Sequence, residues 1–319
     1  MEQDVLDRFA HDLDALIPRE DRLGIAVSGG PDSIALLLLA AAARPGRIEA
    51  ATIDHGLRPE SREEAEMVAR LCDRLGVPHS IQVVGWMATP TTGIQERARH
   101  ERYRLLGFWA EERGFRTVAT GHHADDQAET LLMRLARGSG VRGLAGMRPK
   151  SIAPVTHVRV IRPLLAWRRA ELEQICSVAG VTPVADPSNH DLRYERVRVR
   201  QAMSDAGWLD PGAVARSAAN LAEADAALDW AAKLEWTRAV EERRDLIRYS
   251  PRDVPAELVR RIVTRAIRKL ANEGGAELRG AEIDRLLQSL AEGESATLRG
   301  VLCRGGAEWR FTKAPPRSA

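Results

Sequence analysis

Short apolar runs alternate with longer amphipathic runs from residue 23 to about residue 180. Four of the short runs have the length and character of strands: LGIAVS (23–28), IEAATI (48–53), HSIQVV (79–84) and RTVAT (116–120). Helical patterns separate or follow them, at 32–43, 61–76, 95–113 and 124–137. This alternation predicts an α/β fold, a doubly wound parallel sheet with helices on both faces. Because the crossovers are right-handed, the C-terminal ends of the strands share one edge, where ligands bind.

The pattern changes after Gly207. A long helical run covers 213–242 with no strand after it, and further helical patterns lie at 255–272 and 280–292. Two alternating runs within 295–313 flank Gly305-Gly306 and predict a terminal β-hairpin. Because 319 residues exceed what one core usually fills, we expect two domains. The turn residues near 205–212 put the α/β domain at 1–207 and a smaller, mainly helical domain at 208–319.

Composition narrows the class of protein. The formal net charge is only +2, so the overall charge gives no argument for a nucleic-acid partner. The three cysteines lie far apart without a CxxC pair, which argues against a disulfide framework or a zinc module. The apolar run at 34–43 is about half the length needed to cross a bilayer, and the first residues are acidic and amphipathic. We therefore expect a cytoplasmic protein without a membrane partner.

The segment Ser28-Gly29-Gly30-Pro31-Asp32-Ser33 joins the first strand to the next helix. Two glycines let the backbone approach an oxyanion, and the helix N-terminus presents free N–H groups and a positive dipole end. Ser28 and Ser33 add hydroxyl donors. Asp32 alone would repel a phosphate, so its presence favours a Mg²⁺ ion between its carboxylate and the phosphates. The loop lacks the lysine of an NTPase P-loop, so no lysine there addresses a transferring γ-phosphate.

A second polar cluster follows the fourth strand. His122, Asp125, Asp126 and Glu129 have the spacing i, i+3, i+4 and i+7, which places them on one helical face at the same edge of the sheet. Two adjacent carboxylates suit Mg²⁺ better than Zn²⁺, and Asp32 with Asp125 forms the candidate metal pair. An N-terminal charge cluster stabilised by the helix dipole is the alternative interpretation, and the spacing alone does not separate the two.

Basic residues dominate two later segments. Residues 131–170 contain nine Lys or Arg, among them Arg134, Arg137 and Arg142, and no Asp or Glu. A stretch of one sign in a nearly neutral protein favours a polyanion contact over a solvated surface. The segment 185–200 begins with a DPSN turn that can cap a following helix, in which three arginines share a face. Phosphate contacts and salt bridges to the carboxylate helix both remain open for these arginines, which are Arg193, Arg196 and Arg200.

Taken together, these segments resemble the tRNA(Ile)-lysidine synthetase family of PP-loop ATP pyrophosphatases. The resemblance covers roughly residues 20–205 and rests on an ordered set: SGGPDS at 28, IDHGLRPES at 53, ARHERY at 98, GHHADDQAETLLMRLARGSG at 121, GLAGM at 143, RPLL at 162 and DPSN…RVRVR at 186. It implies a fold like that of the adenine nucleotide alpha hydrolases. One departure is Val197, which stands where the family pattern Arg-Asn-Arg-Ile-Arg has an amide, so the role of that Asn cannot be carried over.

The resemblance also implies a reaction. In the family, ATP adenylates C2–O of the wobble cytidine of CAU-anticodon tRNA(Ile), and free L-lysine then displaces AMP to give lysidine. The implied nucleotide site is the loop 28–33 together with Asp54 and His55. Asp126 and Glu129 match the carboxylates that recognise lysine, and the implied catalytic residues are Asp32, His122, Asp126 and Glu129. The basic platform for the anticodon loop would draw on the arginines named above.

Three alternatives stay open at this stage. A PP-loop tRNA thiolase would need cysteines or an iron–sulfur cluster, but Cys72 lies in an amphipathic helical pattern typical of a core position. A small-molecule PP-loop synthetase would not need the acid-free stretch at 131–170. A non-catalytic RNA-binding module would leave the phosphate loop unexplained. The sequence does not give the oligomeric state, and a homodimer is one alternative.

Overall fold

The computed structural model describes residues 2–56, 60–86, 93–184, 191–271, 278 and 280–315. The chain forms two compact units, residues 1–222 and 223–319. The division falls inside a long helix, whereas the turn near 205–212 lies just before that helix. The domain limits 1–207 and 208–319 therefore stay a prediction. Among the described residues, no helix is long and apolar enough to span a membrane.

The first unit is built on a six-stranded sheet. Its elements in chain order are α1 (Gln3–Asp14), β1 (Leu23–Ala26), α2 (Pro31–Ala43), β2 (Ile48–Asp54), α3 (Glu60–Leu75), β3 (His79–Val83), α4 (Ile94–Glu112), β4 (Thr117–Ala119), α5 (Ala124–Leu135), α6 (Val141–Leu144), β5 (Lys150–Ile152), β6 (Arg159–Ile161), α7 (Arg169–Val178), α8 (Glu195–Asp205) and the first part of α9 (Pro211–Ala239). The strand order is β3-β2-β1-β4-β6-β5. All pairs are parallel except β5 with β6.

This topology confirms the doubly wound parallel sheet and its four predicted strands. The strands β5 and β6 were not predicted, because each has three residues and no helix separates the two. The strand order reverses at β1, which pairs with β2 on one side and β4 on the other. The segments after β1 and β4 therefore leave the same edge side by side, which is where doubly wound folds bind ligands.

Helices cover both faces of the sheet. Residues Ile34–Ala40 of α2 are all buried, so the apolar run at 34–43 is a core helix. It packs with Phe9 of α1 and Trp167 in one apolar cluster, which includes Ala50 of β2. The next residue, Ala51, belongs to a second cluster with Trp109 of α4. Successive strand residues point to opposite faces, so the two clusters lie on opposite sides of the sheet.

The second unit contains more strands than expected. After α9 come β7 (Val240–Arg243), β8 (Leu246–Tyr249), α10 (Ala256–Leu270), α11 (Gly280–Ala291), β9 (Ser295–Leu298), β10 (Val301–Arg304) and β11 (Trp309–Lys313). These strands form one antiparallel sheet with the order β7-β8-β11-β10-β9.

The hairpin around Gly305-Gly306 is confirmed as β10 and β11, but the expectation of continuous helix to 242 was wrong. The helix α9 ends at Ala239, and β7 and β8 follow it. In β8 only Ile247 and Tyr249 are buried, and they pair in register with Phe311 and Trp309 of β11. A strand of four residues gives little periodicity, and it is stabilised by a partner about sixty residues later in the chain.

Candidate active site

The loop between β1 and α2 folds around the hydroxyl group of Ser33. Ser33 Oγ accepts a hydrogen bond from the Ser28 backbone N–H at 3.0 Å and donates one to the Gly30 carbonyl at 3.0 Å. Gly29 has a φ of +89°, a left-handed conformation that favours glycine. Pro31 occupies the first position of α2, where its missing N–H costs nothing. The loop is thus compact and brings the N-terminus of α2 to the ligand edge of the sheet.

The segment after β4 packs directly against this helix N-terminus. A Cβ atom on Gly121 would lie 2.8 Å from the Asp32 carbonyl oxygen and 3.1 Å from the Ser33 backbone nitrogen. Since both contacts are with backbone, neither side can easily give way. Gly121 therefore permits a close approach of the two segments that no larger residue allows, and this requirement was not foreseen from the sequence.

His123, and not its neighbour, occupies the centre of the site. Its side chain is 1% exposed, with Nε2 at 3.5 Å from Asp32 Oδ2 and 3.6 Å from Asp126 Oδ2. On the other side of the ring, Nδ1 lies 3.6 Å from Asp125 Oδ2. Burial alone would favour the neutral imidazole. The contacts with Asp125 and Asp32 and the charge of Asp126 outweigh it and raise the pKa of His123 to about 10.

His122 has a different environment. Its Nδ1 lies 2.9 Å from Thr120 Oγ1, and burial lowers the pKa of its imidazole to about 3, so the ring is neutral. The helix α5 begins at Ala124, with His123 as its N-cap. His122 is therefore outside the helix, and the expectation that it shares a helical face with Asp125, Asp126 and Glu129 was wrong. Counting the periodicity from 122 began two residues too early.

Asp125 is held by the segment that leads into α7. Its Oδ2 accepts a hydrogen bond from the Arg169 backbone N–H at 2.9 Å, and both oxygens accept bonds from the Arg168 guanidinium at 3.2 Å. Burial raises the pKa of Asp125, but the nearby His123 imidazole and the hydrogen bonds from Arg168 and Arg169 outweigh it and hold this pKa well below its usual range. Both oxygens are thus already occupied. Arg168 was not predicted as its partner, because the two residues are 43 positions apart and no local pattern links them.

Asp32 differs from Asp125 in having an uncommitted oxygen. Its Oδ1 is buried and has no hydrogen-bond partner among the described residues. The imidazole of His123 lies between Asp32 and Asp125, with one ring nitrogen directed at each. Within the described ranges, no group of three or more His, Cys, Asp or Glu side chains has the arrangement of a metal site. Asp32 alone of the candidate metal pair offers a free ligand atom.

Glu129 is buried between two arginines of α8. Its side chain is 2% exposed, and its oxygens lie 3.1 Å from Arg196 Nε and 2.7 Å from Arg200 Nε. Arg196 and Arg200 therefore form salt bridges to the carboxylate helix, which was one of the two alternatives for them. Arg193 precedes α8 and pairs with Asp191 at 2.6 Å, with 86% of its side chain exposed. The expected three-arginine helical face was wrong for Arg193, and the DPSN turn at 186–189 lies outside the described residues.

The acid-free stretch finds its partners elsewhere in the fold. Arg134 donates to the Gly143 and Gly146 carbonyls at 2.6 and 3.1 Å, and Arg137 pairs with Glu195. Arg168 pairs with Asp125, as described above, and with Asp210 at 3.0 Å. Arg142 is exposed. Much of the positive charge is thus used to order the segment itself, and the assignment of these arginines to a polyanion stays a prediction.

The end of β2 adds two polar residues at the same edge. Asp54 is buried, and its Oδ1 accepts a hydrogen bond from the Gly56 N–H at 2.8 Å. Both ring nitrogens of His55 are buried and lack a hydrogen-bond partner among the described residues. Burial, and then the charge of Arg102, lower the pKa of His55 to about 4. This neutral ring at the end of β2 has hydrogen-bonding capacity that a ligand can use.

The three cysteines do not provide a reactive thiolate. Cys72 is fully buried in α3, as expected for a core residue, and burial raises its pKa to about 12. Burial likewise raises the pKa of Cys303 to about 12 and that of Cys176 to about 11. Cys176 Sγ donates to the Pro31 carbonyl at 3.4 Å beside a cavity of about 900 Å³. Val197 and Arg200 line the same cavity, so the departure from the family pattern faces open space next to the phosphate loop.

Comparisons with known proteins agree with this architecture. Residues 2–206 match the family model described as a PP-loop domain. The tRNA(Ile)-lysidine synthase of Novosphingobium aromaticivorans is 48% identical over 97% of this chain and 93% of that protein. The synthase of the same name from Zymomonas mobilis is 41% identical over 94% of this chain and 91% of its own. The U34-tRNA thiolase NcsA of Methanococcus maripaludis shares the fold, with a TM-score of 0.57 at 16% identity over 69% of this chain and 81% of that chain. The chain belongs to the tRNA(Ile)-lysidine synthase family of PP-loop enzymes.

Proposed function

We propose that this enzyme uses ATP to adenylate O2 of the wobble cytidine in CAU-anticodon tRNA(Ile) and then joins free L-lysine to C2, forming lysidine. In the first step the cytidine oxygen attacks the α-phosphorus of ATP and the bond to the β-phosphate oxygen breaks. In the second step the lysine Nζ attacks C2, and the C2–O bond breaks with AMP as the leaving group. The observation that carries this proposal is the adjacency of the phosphate loop and the α5 carboxylates around His123.

The phosphate loop and the end of β2 serve the first step. The backbone N–H groups and hydroxyls of residues 28–33 suit the leaving pyrophosphate, whose charge the N-terminus of α2 favours. Asp54 and His55 border the nucleotide from the neighbouring strand. The unpartnered Asp32 Oδ1 fits a Mg²⁺ ion, which when bound would offset the charge of the phosphates. Asp125 does not fit this role, because its two oxygens are held by Arg168 and Arg169.

The carboxylates of α5 serve the second step. The ε-ammonium of lysine has a pKa near ~10.4, so it must be held by acidic groups and lose a proton before it attacks. Asp126 is partly exposed at 15%, whereas Glu129 is at 2% and already shared by two arginines. We therefore assign the main ammonium contact to Asp126 and a supporting contact to Glu129. His122 has a neutral ring close by and can accept a hydrogen bond from the amine.

The exposed arginines provide candidate contacts for the tRNA backbone. Arg142 and Arg193 are exposed, and Arg137 is largely exposed beside Glu195. Arg196 and Arg200 are less exposed, and their ion pairs with Glu129 order the site. Arg134 instead holds the 143–146 segment by hydrogen bonding. Contacts of Arg137, Arg142 and Arg193 with phosphates would strengthen tRNA binding, and this contribution would decrease as the salt concentration rises.

The decisive experiment is incubation of the protein with a tRNA(Ile) transcript, Mg·ATP and ¹⁴C-lysine, followed by nucleoside analysis. We expect a labelled modified cytidine, with AMP and pyrophosphate released in equal amounts. Omission of lysine should leave adenylated tRNA, and a transcript with uridine at the wobble position should give neither product. Absence of label from the nucleoside fraction, with ATP still consumed, would exclude lysine as the acceptor amine.

A further inference from the structure

We propose that His123 is a positioning residue that couples the two half-reactions by sharing one N–H group between Asp32 and Asp126. The inference rests on the proposed function and adds to it a residue that contacts neither ATP nor lysine. Asp32 belongs to the phosphate loop and Asp126 to the amine site. The nearly equal distances from His123 Nε2 to these two carboxylates, 3.5 and 3.6 Å, are the observation that requires explanation.

A single nitrogen cannot satisfy both acceptors. Nε2 carries one hydrogen, and a well-formed charge-assisted bond to a carboxylate needs a distance nearer ~2.8 Å. On its other side the ring faces a fixed carboxylate: Nδ1 lies 3.6 Å from Asp125 Oδ2, and Asp125 is held in place by Arg168 and the Arg169 backbone. A small rotation of the ring brings Nε2–H closer to either Asp32 or Asp126 and moves it away from the other.

The backbone keeps the two carboxylates from separating. Gly121 packs against the Asp32 and Ser33 backbone, and His123 caps α5 with its own N–H directed at Asp126 Oδ2 at 3.3 Å. The imidazole is 1% exposed, so bulk water does not compete for its N–H group. The competition between Asp32 and Asp126 is therefore resolved by the orientation of the ring.

Occupancy of Asp32 then controls Asp126. When the charge of Asp32 is offset by a cation that accompanies the phosphates, Asp32 attracts Nε2–H less, and the hydrogen bond to Asp126 strengthens. Asp126 is then less available to the lysine ammonium. After pyrophosphate leaves, Asp32 regains its negative charge and Nε2–H returns to it. The lysine site is thereby favoured only once adenylation has taken place.

The test uses the second half-reaction alone. Adenylated tRNA is made by the wild-type protein without lysine, purified, and supplied without ATP to Asp32→Asn, His123→Gln and the double variant. Asp32→Asn removes the charge as an engaged cation would, so we expect the lysine KM to rise about threefold or more, as for groups in one network. In the His123→Gln background the same substitution should leave the lysine KM unchanged. Asp205→Asn, on the exposed surface of α8, is the matched control.

Additive effects of the two substitutions, or an unchanged lysine KM in Asp32→Asn, would overturn the coupling. Because His123 caps a helix, the thermal unfolding of each variant must also be measured. If His123→Gln does not fold, His123→Asn is used instead, because the Asn side chain can cap the helix. A second readout needs no His123 variant: the imidazole ¹⁵N–¹H signal of His123 should shift in Asp32→Asn, and an unshifted signal counts against the proposal. If wild-type protein transfers no lysine to adenylated tRNA, the proposed function itself fails, which is a separate result.

Discussion

The proposed lysine site predicts a specific separation of the two half-reactions in Asp126→Asn and Glu129→Gln. Asp126 and Glu129 are one helical turn apart on α5, but their surroundings differ. Asp126 is partly exposed and faces His123, while Glu129 is buried between Arg196 and Arg200. Neither carboxylate is part of the phosphate loop at 28–33. We expect both variants to form adenylated tRNA and to require more lysine for the second step.

The structure predicts which of the two variants has the larger increase in lysine KM. A hydrogen bond to a charged group contributes about 1.5–3 kcal/mol, so its loss corresponds to an increase in KM of about 10- to 150-fold. Asp126→Asn should lie in this range, because the amide still accepts the His123 N–H but no longer attracts a cation. Glu129→Gln should give a smaller increase, since two guanidiniums already balance the charge of Glu129.

The assay measures adenylation by tRNA-dependent release of pyrophosphate without lysine, and transfer by the lysine concentration needed for half-maximal lysidine formation. Asp205→Asn serves as the control, because it removes a carboxylate that is exposed on the surface of α8. If both variants lost adenylation and kept a normal lysine KM, Asp126 and Glu129 would belong to the Mg·ATP site. The family assignment would survive that result, but the lysine pocket would not.

Four further predictions concern single residues. Asp32→Ala should lower tRNA adenylation by about 100-fold or more with little change in the unfolding temperature, since it removes a group that offsets phosphate charge; normal adenylation at saturating Mg²⁺ would contradict this. Gly121→Ala should destabilise the first unit by about 1–3 kcal/mol, because the new Cβ meets backbone at 2.8 Å, and urea unfolding measures this. Arg142→Glu should reduce the slope of tRNA affinity against salt by about one unit and leave the KM for ATP unchanged. Arg134→Ala should instead lower thermal stability and spare the salt slope, because its partners are the Gly143 and Gly146 carbonyls.

The first unit could be predicted largely from periodicity, whereas the second could not. The strands β1 to β4 are bounded by long helices, and the run at 34–43 is apolar on all sides because α2 is buried. The strands β1 and β4 are themselves short, but short strands without a long helix on each side carry no comparable signal. The strands β5 and β6 have three residues each, and β8 has four, of which two are buried against β11. Such strands are fixed by partners distant in sequence, and no local pattern reports them.

The site was predicted to the correct edge but not to the correct partners. The placement of the loop 28–33, Asp126 and Glu129 at one edge of the sheet could be predicted, because the loop and α5 follow strands. His123 was passed over in favour of His122, since a helical count cannot tell where a helix begins. The capping relation between His123 and Asp126 does not match the Ser/Thr-x-x-Glu/Gln pattern that marks a helix start, so it could not be identified from the sequence.

The charge distribution shows why one-dimensional counts of basic residues are a weak guide to partners. Residues 131–170 contain no acid, yet Arg137 and Arg168 pair with Glu195, Asp125 and Asp210, which come from outside that stretch. In the same way Glu129 meets Arg196 and Arg200 across about seventy residues of sequence. A segment whose charges all have one sign can therefore form ion pairs with oppositely charged residues elsewhere in the same fold. Arginines whose side chains stay exposed on the surface, such as Arg142 and Arg193, are the ones that a polyanion in solution can reach.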